Sequence, residues 1–65
     1  MVISNKKFEI ALANSGKTIS QAAESVGISR LRYSAILNQK RVTPVSAGRI
    51  ARSLGVDVTE ILEDE

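Results

Sequence analysis

Two short amphipathic segments lie between residues 18 and 38, with Gly27 between them. Thr18 can cap a helix and Gln21 can close a capping box with it, while Ser20 is a competing cap that leaves this start open by two residues. Ser29 can cap the second segment, and Gly27 permits the positive φ that a tight turn requires. The first segment has the i, i+3, i+4, i+7 spacing of one buried helical face: Ile19, Ala22, Ala23 and Val26. The stretch therefore predicts two helices joined by a tight turn.

Similar start and stop signals predict a helix on each side of this pair. Ser4 can cap the first helix, and Gly16 can end it in a left-handed conformation. Thr43 and Pro44 form a cap followed by proline at the first helical position, where the missing amide hydrogen costs nothing. Gly55 can end this later helix.

A fifth helix is predicted near the C-terminus. Asp57 and Glu60 have the spacing of a capping box, and Val58, Ile61 and Leu62 form a short apolar stripe. No segment alternates apolar and polar residues as a strand would. We therefore expect an all-α, compact five-helix bundle, with residues 1–65 as a single domain. The helix-turn-helix would span about 18–38 and an acidic tail 57–65.

Composition argues against several classes of protein. The 65 residues include no cysteine and no histidine, which excludes disulfides and a zinc site with the usual ligands. Histidine and cysteine are also the common catalytic bases and nucleophiles, and no glycine-rich phosphate loop is present. We expect no enzyme activity, cofactor, metal or small-molecule ligand. No apolar run has the length of a membrane span, so we expect a soluble, cytoplasmic protein.

Charge is divided unevenly along the chain. Residues 1–52 contain all nine lysines and arginines against Glu9 and Glu24, a net charge of +7, whereas residues 53–65 carry −5. A basic body with an acidic tail is typical of proteins that bind a polyanion. An ordinary solvated surface would look the same, so charge alone leaves both interpretations open.

The predicted third helix has an outward face suited to the major groove of DNA, which the second helix of a helix-turn-helix enters. With its apolar residues Tyr33, Ile36 and Leu37 inward, helical geometry turns the opposite side outward. That side consists of Leu31, Ser34 and Ala35, flanked by Arg30 and Arg32. Arginines at the edges can reach a guanine or a phosphate, although two arginines on a solvent-exposed face are also commonplace.

Three stretches resemble a known family when they occur together at this spacing: residues 23–30, 36–41 and 50–56. Over nearly its whole length the chain resembles the Cro/C1-type (XRE-like) helix-turn-helix family of phage repressors and related bacterial regulators. The resemblance implies a lambda-repressor-like bundle of five helices, of which the second and third read DNA. It also implies binding as a homodimer to a two-fold symmetric, pseudo-palindromic operator in double-stranded DNA.

The resemblance also implies roles for individual residues. Base contacts are expected from Ser29, Arg30, Leu31, Ser34 and Ala35. Phosphate contacts are expected from Lys17, Thr18, Ser20, Arg32, Asn38, Lys40, Arg41 and Thr43. Arg30 lies in the first turn of its helix, the end that usually reaches bases, and Leu31 is placed to lie against a thymine methyl group. For Lys40 and Arg41, simple loop solubility is the alternative.

The chain departs from the family pattern at four positions. Many members have glutamine where this chain has Ile19, and glycine where it has Gln39. Many also pair an arginine with a glutamate at the positions of Leu12 and Leu37. We expect these two leucines to touch, so that an apolar contact replaces the ion pair.

The resulting prediction is a Cro-type repressor that occludes promoters as a dimer. An antitoxin or a recombination accessory protein on the same fold is an alternative, and a protein-interaction module is another. The resemblance places the dimer surface near Val56 and Val58, while we expect Ile61 and Leu62 to complete the monomer core.

Overall fold

The computed structural model describes residues 1–63, which form four α-helices and one 3-10 turn. The helices are α1 (Asn5–Ser15), α2 (Ile19–Ser25), α3 (Arg30–Leu37) and α4 (Pro44–Leu54), followed by the 3-10 turn at Val58–Glu60. Within this described part, the only β-type pairing is one isolated antiparallel bridge between Ile3 and Leu62. None of its helices is long and apolar enough to cross a membrane. The all-α prediction is confirmed.

Each α-helix begins at a hydroxyl cap predicted from the sequence. In every case the side-chain oxygen accepts a hydrogen bond from the backbone amide three residues later. The capping residues are Ser4, Thr18, Ser29 and Thr43. At Thr18 the Gln21 side chain returns a bond to the cap backbone and completes the capping box, so α2 begins at Ile19 and not after Ser20.

The predicted fifth helix, and with it the five-helix count, is wrong. Asp57 and Glu60 do form the capping box, but only Val58–Glu60 are helical, as a single 3-10 turn. The reason is backbone pairing with the start of the chain. The amide of Ser4 donates to the carbonyl of Ile61 at 2.8 Å, and the amide of Glu63 donates to the carbonyl of Val2 at 2.9 Å. These bonds hold residues 61–63 alongside residues 2–4, so the helix cannot continue.

The core lies between the four helices and receives apolar side chains from each of them. Its buried members are Ile3, Phe8, Ala11, Ala22, Ala23, Tyr33, Ile36, Val42, Ala47, Ile50, Ala51, Leu54 and Ile61. The predicted apolar faces of the second and third helices supply Ala22, Ala23, Tyr33 and Ile36 to this set, and Leu62 packs against it. The rings of Phe8 and Tyr33 are tilted by 54° with their centroids 6.3 Å apart, an arrangement that aromatic pairs favour.

A buried chain of hydrogen bonds crosses this core from α3 to α4. Tyr33 and Ser53 are both fully buried, and their hydroxyl oxygens lie 2.6 Å apart. Ser53 Oγ also lies 2.5 Å from the carbonyl oxygen of Ile50, one helical turn earlier in α4. Because a serine hydroxyl has one hydrogen and the carbonyl can only accept, Ser53 donates to Ile50 and Tyr33 donates to Ser53.

Candidate nucleic-acid interface

A tight turn between α2 and α3 sets the direction of α3. Gly27 has φ +72°, a left-handed conformation that is costly for residues with a Cβ atom. The amide of Gly27 donates to the carbonyl of Glu24 at 3.0 Å, and the amide of Ile28 donates to that of Ala23 at 3.1 Å. The side chain of Ile28 packs against the core. The turn is therefore anchored both by its backbone and by an apolar side chain.

The outward face of α3 agrees with the face predicted from helical geometry. Tyr33 and Ile36 are buried, and Leu37 is half-buried against the core. On the opposite side Leu31 and Ala35 are exposed and Ser34 is half-buried, and the flanking Arg30 and Arg32 are exposed. This helix therefore presents cationic, apolar and small side chains together on its outward side.

Leu31 has the largest exposed fraction of the large apolar residues in the described part of the chain. It is 84 % exposed, compared with 69 % for Val45 and 53 % for Ile10. A single exposed leucine is ordinary on a protein surface. Its position between Arg30 and Arg32, at the start of α3, makes it a candidate for contact with a base.

Ser29 combines a structural role with its predicted place at the interface. Its Oγ accepts the amide hydrogen of Arg32 at 3.1 Å and so caps α3. That bond uses the oxygen as an acceptor and leaves the hydroxyl hydrogen for another partner. Ser29 is exposed. It lies at the N-terminal end of α3, where the helix dipole is positive, and Arg30 is the next residue.

The predicted phosphate-contacting residues, apart from Arg32 on α3, form two groups. Before and at the start of α2 lie Lys17, Thr18 and Ser20; at and beyond the end of α3 lie Asn38, Lys40, Arg41 and Thr43. All seven are exposed. Ile19 and Asn38 border the same surface depression, so the beginning of α2 and the end of α3 are neighbours.

The basic loop after α3 is held by the first residue of the chain. The amide of Val42 donates to the carbonyl of Met1 at 2.8 Å, and the Val42 side chain is buried. Lys40 and Arg41, immediately before it, remain exposed. No local pattern predicts this anchor, because Met1 and Val42 are far apart along the chain.

Comparison with known proteins identifies the family. A family model described as helix-turn-helix matches residues 9–61, which include most of α1 and all of α2, α3 and α4. The chain belongs to this helix-turn-helix family. The match is to the XRE-like, or Cro/C1, type, whose members are DNA-binding regulators. No curated protein and no solved structure gives a significant match.

The structure accommodates the positions at which this helix-turn-helix protein departs from the family pattern. Leu12 and Leu37, in place of the ion pair, both line the depression beside Ile19, whose volume is about 300 Å³. The two leucines therefore lie on the same side of the bundle, while their direct contact stays a prediction. Gln39 replaces a glycine without backbone strain, since within residues 1–63 only glycines have positive φ.

Proposed function

We propose that this chain is a sequence-specific regulator of transcription that binds double-stranded DNA, most simply as a Cro-type repressor that occludes promoters. The observation that supports this most is the two-sided character of α3. Its inner side is fixed by Tyr33 and Ile36, while Arg30, Leu31 and Ala35 face outward. A helix that enters a groove needs this combination, because its outer side must be free and its inner side must be rigid.

Sequence would be read by the first half of α3. Arg30 is suited to donate two hydrogen bonds to the O6 and N7 acceptors of a guanine, a contact that discriminates by about 1–3 kcal/mol. Leu31 would lie against the methyl group of a thymine. Ser34 and Ala35 are small, so the helix backbone can approach the base edges closely. Ser29 would add a hydroxyl contact at the same end of the helix.

Affinity would come mainly from the two groups of exposed residues that flank α3 and from Arg32 on α3 itself. Phosphate contacts from Thr18, Ser20, Asn38 and Thr43 would be hydrogen bonds, whereas Lys17, Arg32, Lys40 and Arg41 would also neutralise charge. Each neutralised phosphate releases condensed cations and lowers the slope of log affinity against log salt by about 0.9. Several such contacts would make binding steeply dependent on salt.

We further propose that the protein binds its operator as a homodimer. Half-sites read by paired helix-turn-helix domains lie about 34 Å apart. The described chain measures 30 Å in its longest dimension, so two copies can lie side by side on such a site. Val56 and Val58 are only half-buried. Val56 borders a groove of about 120 Å³ together with the half-exposed Ile10 and the polar side chains of Lys7, Asn14 and Glu60, so the proposed dimer surface combines apolar and polar groups.

The decisive experiment is selection of random duplexes by the purified protein, repeated with Arg30→Ala and Arg41→Ala. Arg30→Ala should relax the preference at one base pair by about 1–3 kcal/mol. Arg41→Ala should weaken all duplexes similarly and make the salt slope shallower by about 0.9. Selection of no consensus by the parent protein, or a nearly salt-independent affinity, would contradict the proposed function and favour a protein-interaction module.

A further inference from the structure

Helix α3 packs more extensively against one neighbouring helix than against the others. Backbone packing of α3 is mainly against α2, its neighbour in the chain. Towards α4, the specific connection is the Tyr33 side chain, which lies against the Phe8 ring and ends at Ser53 Oγ. Tyr33 therefore links α3 to both α1 and α4 through one side chain.

The hydrogen bonds along this connection have a fixed direction. Ser53 has committed its single hydrogen to the Ile50 carbonyl, so its oxygen is left to accept from Tyr33. Apolar contacts alone permit small rotations, because dispersion forces are non-directional. A hydrogen bond weakens steeply when its angle departs from linearity. The chain from Tyr33 to Ile50 therefore opposes rotation of α3 about its own axis.

Such a rotation of α3 would displace the side chains on its opposite, outward side. Outward side-chain tips lie roughly 5 Å from a helix axis, so a turn of about 15° displaces them by more than 1 Å. Functional groups have to be held to about 0.5 Å and 10–20° for productive geometry. Leu31 and Ala35 lie on the side of the helix opposite Tyr33, and Arg30 flanks this outward side.

We propose that Tyr33, through its hydrogen bond to Ser53, is a positioning residue that fixes the rotation of α3 and so determines how sharply the protein distinguishes one DNA sequence from another. This inference rests on the proposed function. It assigns to a buried pair, remote from the DNA surface, control over specificity but not over phosphate-driven affinity.

Two variants break the bond from opposite ends. In Tyr33→Phe the ring is retained, and Ser53 remains satisfied because it still donates to Ile50. Ser53→Ala leaves the buried Tyr33 hydroxyl without a partner and should destabilise the fold more. Tyr33→Phe is therefore the main test, and Ser53→Ala the confirming one. Ile61→Val, a buried truncation outside α2 and α3, serves as the control for a general loss of stability.

The first measurement is the ratio of dissociation constants for a scrambled duplex and the selected duplex, under conditions in which all variants are folded. Tyr33→Phe should reduce this ratio by about threefold to tenfold, the equivalent of one net hydrogen bond. Its affinity for the scrambled duplex and its salt slope should not change. Ile61→Val should keep the parent ratio, and adding Ser53→Ala to Tyr33→Phe should lower the ratio little further.

The second measurement is made without DNA. Residual dipolar couplings of backbone amides should report a rotation of α3 relative to α4 in Tyr33→Phe and none in Ile61→Val. An unchanged ratio, or an unchanged orientation of α3, would overturn the proposal. A parent protein that binds both duplexes equally would instead refute the proposed function, and the couplings would still report on the orientation.

Discussion

The ammonium group of Lys17 donates a hydrogen bond of 2.9 Å to the carbonyl oxygen of Ser53, in the last turn of α4. The preceding carbonyls of this helix end have other donors, since Val56 and Gly55 donate to Ala51 and Arg52. Ser53 thus accepts at its carbonyl from the segment before α2 and at its side chain from Tyr33 of α3. One residue of α4 thereby fixes both sides of the helix-turn-helix.

Lys17→Met should reduce both stability and the salt dependence of DNA binding. The free energy of unfolding should fall by about 0.3–1 kcal/mol, because a cation at a helix C-terminus is lost. As a proposed phosphate contact, Lys17 should also contribute about 0.9 to the salt slope. Urea unfolding and binding at several salt concentrations measure the two effects. Lys6→Met, at an exposed position of α1, is the matched control; an unchanged slope would restrict Lys17 to folding.

Replacing the thymine that we propose lies against Leu31 with uracil should weaken binding through loss of one methyl group. The expected cost to the parent protein is about 0.8 kcal/mol, roughly a fourfold change in the dissociation constant. Leu31→Ala should lose far less on the same replacement, because its side chain is too short to cover the methyl group. Titration of both proteins against both duplexes completes the cycle. Equal losses for the two proteins would show that Leu31 does not read this group.

Stability should decline at alkaline pH because of Tyr33. Burial disfavours the phenolate and raises the pKa of Tyr33 above its ordinary value of 10.0. The stability contributed by the neutral phenol is therefore fully present below about pH 10 and is lost as the pH rises through the folded-state pKa. Tyr33→Phe should lack this part of the decline.

Urea unfolding across this pH range gives the difference between the two proteins. Phenolate absorbance provides an independent titration, since the sequence contains one tyrosine and no tryptophan. Parallel stability curves for the parent and Tyr33→Phe would contradict the prediction.

Two glycine-to-alanine substitutions should have opposite effects on stability. A Cβ atom added at Gly48, inside α4, meets no atom within 4 Å, so Gly48→Ala should raise the free energy of unfolding by about 0.5–1 kcal/mol. The space at Gly27 is equally open, but its φ of +72° is left-handed. Gly27→Ala should therefore lower stability by about 1–2 kcal/mol. Thermal unfolding of both variants tests the pair, and stabilisation by Gly27→Ala would be inconsistent with the turn described.

The parts of the fold that depend on local chemistry were predictable from sequence. A hydroxyl at Ser4, Thr18, Ser29 or Thr43 bonds to an amide three residues away, so each helix start is encoded within a single turn. The outward face of α3 follows in the same way from the spacing of Tyr33 and the other apolar residues. The exposure of Arg30, Leu31 and Ala35 agrees with the predicted outward face, while their contact with DNA stays a prediction.

Features that depend on distant partners were not predictable from local patterns. Val58–Glu60 has a convincing capping box, yet the helix ends there because residues 61–63 pair with the start of the chain. Ser53 appears in the sequence as one polar residue among several in α4. Its complete burial depends on packing against Tyr33, whose hydroxyl bonds to Ser53 Oγ from 20 residues away in the sequence.

The pairing of Met1–Ser4 with both Val42 and residues 61–63 has a practical consequence. An affinity handle or fluorophore joined to the amino end would emerge beside the Lys40–Arg41 loop, where it could shield those cations from a duplex. A label placed at this end would, by the same proximity, report directly on occupancy of the loop.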